Sequence, residues 1–133
     1  MYEVHVETVR LFLHVLAATI WVGGQLTLAA LVPVLRRADA DVPRAAARAF
    51  GRLAWTAFAV LVATGIWNIV DYPAKDLDGY DGTLAAKLTF VALSGISAFV
   101  HQRATTRRWL AIGGAATGLF ALLALFYGVL LGL

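Results

Sequence analysis

The residues of this sequence with chemistry to offer are few, and they are periodic. In "LHVLAATIWVGG", residues 13–24, His14 and Trp21 stand seven positions apart, and Gln25 follows four later. On an α-helix such spacings share one face. A second ladder places Lys87, Ser94 and His101 at intervals of seven. Thr64, Trp67, Asn68 and Asp71 form a third shared face, and the last apolar run contributes Thr117 and Tyr127. Inside apolar helices these groups are costly, at about 2.5–3.5 kcal/mol for a charge at a helix centre on insertion scales, so they mark function or share partners. A neutral imidazole can ligate copper or haem iron. A lysine at the same depth can pair with an anion, such as a haem propionate or a nearby aspartate, and an uncharged lysine is itself a ligand. There is no cysteine, and Met1 is the sole methionine. Disulfides and soft sulfur ligands are thus excluded, and copper would have to rely on imidazole, supplied by His5, His14 and His101.

The elements that position these residues follow from composition. Of 133 residues, 61% are hydrophobic and 14% charged, against about 25% charged in a soluble domain. A bilayer core needs about 20 mostly apolar residues per helix. Four segments qualify: residues 11–35, 53–70, 84–100 and 109–131. They use most of the chain. The fold expected is all-α, one integral membrane four-helix bundle over residues 1–133. The N-terminus carries Glu3 and Glu7 and lacks a basic n-region and a small-residue cleavage site, so the first segment is expected to stay in the mature protein.

Charge sets the expected orientation. Arg36, Arg37, Arg44, Arg48 and Arg52 lie between the first two spans, against Asp39 and Asp41. Arg103, Arg107 and Arg108 lie between the last two with no acid, whereas the middle loop holds Asp71, Asp76, Asp78 and Asp81 against Lys75. Arginine-rich loops face the cytoplasm. Both termini are then outside (N-out/C-out), and the net charge of +3 is a topology signal that argues against nucleic acid. Pro43 suits a helix start. Arg44, Arg48 and Arg52 recur at i+4, so a single helix from Pro43 to Val70 is expected, its cationic first turns among anionic lipid headgroups.

Depth then sorts the ladders. His14 falls about 6 Å inside the outer boundary, Lys87 at a similar depth, and His101 about 21 Å deeper than Lys87, at 1.5 Å per residue. The expected arrangement is an outer site on His14, with Trp21 below it and Lys87 and Asn68 closing it. His101 is a separate inner metal ligand. Each residue has a plainer role as well. His14 can bond a neighbouring carbonyl or hydroxyl, Lys87 can snorkel, and His101 can be interfacial. Trp55, Trp67 and Trp109 fit an aromatic belt, and Gly23, Gly24, Gly113, Gly114 and Gly118 permit close helix contact.

Two family resemblances attach to these motifs. "HVLAATIWVGG" resembles the first helix of copper resistance protein D (CopD) domains. "RAFGRLAWTAFAVLVATGIWN" followed by "GTLAAKLTFVALSGISAFVHQR" is similar to that domain's central segment, with a basic helix start, a TG pair and a lysine opening the next helix. The likeness covers roughly residues 11–108 and implies copper binding, uptake or resistance at the cytoplasmic membrane. Full-length members have about twice as many spans, so this chain corresponds to a minimal unit or to a half that forms a homodimer. The chain also resembles HemJ-type protoporphyrinogen oxidases, which bind haem b. The shared features are the histidine, six residues, tryptophan opening and a "KLTFVAL"-like helix start, with His101 about one turn later than that family's histidine. A third reading, a structural or assembly subunit, needs no cofactor and uses the polar residues for helix contacts.

Overall fold

The computed structural model describes residues 4–71 and 78–132. Among them are four helices: α1 (Val6–Ala38), α2 (Val42–Asp71), α3 (Tyr80–Arg103) and α4 (Arg107–Gly132). Each is long and apolar enough to cross a membrane. At 1.5 Å per residue they measure about 50, 45, 36 and 39 Å, against a hydrocarbon core of about 30 Å. The surplus lies at the charged ends, where water satisfies the terminal backbone groups. That is why the helices outrun the apolar segments read from sequence. The chain has the character of a multi-pass membrane protein.

The helices pair as two antiparallel hairpins, α1 with α2 and α3 with α4, each a compact unit. In the first, Glu7 lies in the first turn of α1 and Arg36 and Arg37 in its last, both placements favoured by the helix dipole. Pro33 removes one backbone hydrogen bond, yet α1 continues to Ala38. The reversal is local chemistry. The Asp41 N–H donates to Asp39 Oδ1 at 2.8 Å, an Asx turn, and Pro43 sits in the first turn of α2. As the arginine spacing predicts, α2 then runs unbroken through Gly51.

In the second hairpin, Gly79 precedes α3 with φ +85°, a left-handed conformation glycine adopts without steric cost. The Thr106 hydroxyl caps α4, accepting from the Trp109 N–H at 3.4 Å. Near this turn the helices approach so closely that a Cβ on Gly113 would lie 3.0 Å from His101 Cα. A larger residue there would push the two helices apart.

Most of the buried residues are small, among them Ala17, Ala54, Ala57, Ala98, Ala121 and Ala124, with Thr64, Ser94 and Thr117; Arg10 and Trp21 are the large exceptions. Large aliphatic side chains such as Leu11, Val34, Ile66, Ile96, Leu119 and Val129 point outward. This inverts the soluble pattern. Helices in lipid gain little from burying leucine against leucine and instead associate through small residues and interhelical hydrogen bonds. The Ser94 hydroxyl supplies one such bond, donating to Thr117 O at 3.0 Å.

Candidate functional site

Both seven-residue ladders lie along the contact line of their own hairpin. On α1 the line begins at Arg10, a buried cation. Its Nη1 donates to Asp71 Oδ2. The same oxygen accepts from Trp67 Nε1 at 2.7 Å, and the guanidinium carbon stands 5.6 Å from the Trp67 ring centre. One turn further along, His14 Nδ1 is 2.8 Å from Thr64 Oγ1. Gly65 leaves room beside the ring, a Cβ there lying 3.5 Å from His14 Cε1.

The hydrogen bonding around Thr64 favours one tautomer of His14. The Thr64 hydroxyl has one proton, and its contact with Val60 O is 2.7 Å, the usual back-bond of a helical threonine. Both contacts are satisfied when that proton goes to Val60 O and His14 Nδ1–H donates to the hydroxyl oxygen. In the neutral ring the lone pair is then on Nε2. Thr64 is buried, so water does not compete for the oxygen. An imidazole oriented through one nitrogen while the other keeps its lone pair is how proteins hold metal-ligating histidines.

Trp21, two turns on, is only 3% exposed. It packs edge-on to Trp55 at 5.6 Å and against Phe58 at 4.5 Å between ring centres. Its place is in an aromatic core cluster. Below it, Gln25 Nε2 is buried with no hydrogen-bond partner among the described residues. Asn68 is half-buried on α2; the polar contacts to α1 at this end come from Thr64, Trp67 and Asp71.

In the second hairpin, Lys87, Ser94 and His101 all face α4. Lys87 is half-buried, its Nζ 3.4 Å from where a side chain on Gly128 would begin. Phe90 stacks between Phe120 and Tyr127, at 6.1 and 5.5 Å between ring centres. At the other end of α3, His101 Nδ1 donates to Leu110 O at 2.8 Å. Its ring lies against Gly114, with Cε1 3.2 Å from a Cβ built there. His5 is the N-cap of α1.

Sequence reasoning passed over Arg10, placing it just before the first span. The signal was present: Arg10 extends the His14 face by one turn, and an antiparallel hairpin turning near residue 40 brings it opposite Asp71. No group of three His, Cys, Asp or Glu able to hold a metal occurs among the described residues. Compared with family models, with curated proteins and with solved structures, the chain matches none.

Proposed function

We propose that this protein binds a metal centre in the cytoplasmic membrane through Nε2 of His14, and that its role is copper binding, uptake or resistance. The observation that carries the reading is the buried Thr64 hydroxyl on His14 Nδ1. It orients the imidazole as the hydrogen-bond partners of metal-ligating histidines do. The likeness of the "HVLAATIWVGG" segment to copper resistance protein D domains supports copper as the metal. Imidazole suits copper in the absence of sulfur ligands. With one histidine at the site, further donors come from a second copy of the chain or from the donor that delivers the ion.

A second reading, a haem b protein, is favoured by the donor count. A porphyrin supplies four nitrogens itself, so one oriented imidazole is a sufficient protein ligand, and no three-residue donor group is present among the described residues. The orientation proposed is both termini outside and both arginine linkers in the cytoplasm, supported by the loop charges.

The test is a visible spectrum with copper and iron analysis of the purified full chain, for wild type, His14→Ala, Lys87→Met and His101→Ala. Copper without a Soret band, lost in His14→Ala and kept in His101→Ala, is the expected outcome. A Soret band with stoichiometric iron selects the haem reading. Full occupancy in His14→Ala refutes ligation by His14. Failure of the wild type to bind either cofactor on reconstitution leaves His14 a helix-contact residue, as the structural-subunit reading holds.

A further inference from the structure

The α3–α4 turn carries a feature that the His14 reading does not use. A shallow groove of ≈ 310 Å³ is lined by Phe99, Val100, Arg103, Ala104, Thr105 and Trp109. Its walls are apolar and outward-facing, Phe99 being 51% and Trp109 56% exposed. Its polar groups are a guanidinium and a hydroxyl. The Arg103 guanidinium carbon lies 4.8 Å from the Phe99 ring centre, a cation–π contact that holds the cation at the groove. The rim is fixed from both sides. His101 Nδ1 ties the end of α3 to Leu110 O at 2.8 Å, and Thr106 caps α4 just before Trp109.

The charge here is uncompensated within the α3–α4 hairpin. No aspartate or glutamate follows Asp81 in the sequence, while Arg103, Arg107 and Arg108 cluster at this turn. Asp81 is in the first turn of α3, about 33 Å from Arg103 along the helix at 1.5 Å per residue. The counter-anion must come from outside the hairpin. The groove lies where the apolar stretch of α3 ends, which is headgroup depth, and tryptophan at that depth is characteristic of a membrane interface.

We propose that this groove seats an anionic phospholipid, such as phosphatidylglycerol. The phosphate lies between the Arg103 guanidinium and the Thr105 hydroxyl, and the glycerol and first methylenes run along Phe99, Val100 and Trp109. A zwitterionic lipid is disfavoured because its ammonium group would join three arginines. The inference is independent of which metal centre, if any, His14 binds.

Native mass spectrometry of the full chain in mild detergent tests it, with phosphatidylglycerol and phosphatidylcholine supplied in equal amounts. The wild type retains phosphatidylglycerol in preference. Arg103→Gln weakens the tightest-held lipid about fivefold, the factor one basic residue contributes near an anionic surface. Arg48→Gln on α2 leaves that lipid in place, and excess inorganic phosphate does not displace it. A second measurement leaves the arginines in place: the Trp109 share of the fluorescence, taken as the difference between the wild type and Trp109→Phe, is quenched more by brominated phosphatidylglycerol than by brominated phosphatidylcholine. Equal quenching by the two lipids, unchanged retention in Arg103→Gln, or displacement by inorganic phosphate overturns the proposal.

Discussion

Replacing Thr64 by valine keeps the shape of the side chain and removes the hydroxyl that meets His14 Nδ1. The threonine is 5% exposed and its oxygen is 2.8 Å from Nδ1, so no solvent replaces the acceptor. Loss of a buried hydrogen-bond partner costs about 1–3 kcal/mol. Val60 O keeps its backbone bond within the helix, so the cost falls on the imidazole. Changes of this kind beside a metal-ligating histidine weaken the metal about 10–100-fold, a range the hydrogen-bond figure overlaps. The assay has two parts. Imidazole ¹⁵N spectra of the protein, which has three histidines, report the protonated nitrogen directly: His14 is Nδ1–H in the wild type and shifts toward Nε2–H in Thr64→Val. Titration with copper, or with haem if the spectrum selects it, then gives an affinity about 10–100-fold lower, while Thr64→Ser restores both readouts. In a His14→Ala background Thr64→Val has no further effect on binding, because the two act as one unit. A wild-type His14 protonated at Nε2, or a valine variant with unchanged tautomer and affinity, refutes the reasoning.

Two further predictions address orientation and the buried ion pair. Single cysteines at Ala40 and Asp78 of this cysteine-free chain label from opposite sides of the membrane with an impermeant reagent; labelling of both from one side refutes the orientation. Asp78 is preferable to its neighbour Gly79, whose φ of +85° would strain a cysteine. Asp71→Asn removes the Asp71 carboxylate from the Arg10 side chain, which is only 4% exposed. Asp71 is itself 47% exposed, so the loss lies between that of a buried pair and that of a surface one, about 1–3 kcal/mol. It is read as a lower melting temperature in detergent, partly recovered by adding Arg10→Met; an unchanged melting temperature in Asp71→Asn refutes the pairing.

Much of this fold is legible in the sequence because lipid simplifies the signal. Long apolar runs can only be helices, and arginine clusters separate them. The faces were legible too: 14 and 21 on α1, and 87, 94 and 101 on α3, do line helix contacts. Spacing did not show what those contacts are. A seven-residue repeat turns a residue toward the interior whether it packs or ligates, so Trp21 and His14 read alike. One is an aromatic core residue beside Trp55 and Phe58; the other is an oriented imidazole. Arg10 was missed for a different reason. A segment boundary drawn by hydropathy excludes the very residue whose charge is neutralised by Asp71 across the hairpin.

The same physics separates the two membrane histidines as metal ligands. Each donates from Nδ1, His14 to a buried hydroxyl at 2.8 Å and His101 to a main-chain carbonyl at 2.8 Å, so hydrogen bonding alone ranks them equally. Their electrostatic surroundings do not. His101 lies within seven residues of Arg103, Arg107 and Arg108, with no acid after Asp81 in the chain. A copper ion there would meet three like charges at the edge of a low-dielectric medium, where two unit charges 4 Å apart repel by about 4 kcal/mol at an effective dielectric of 20. On the His14 face of α1 the cation one turn away is Arg10, and the Asp71 carboxylate is already on it. On these charges the proposed metal ion would favour His14 over His101, while the arginines around His101 favour an anion. That division agrees with copper at one hairpin's polar ladder and an anionic lipid at the other's turn.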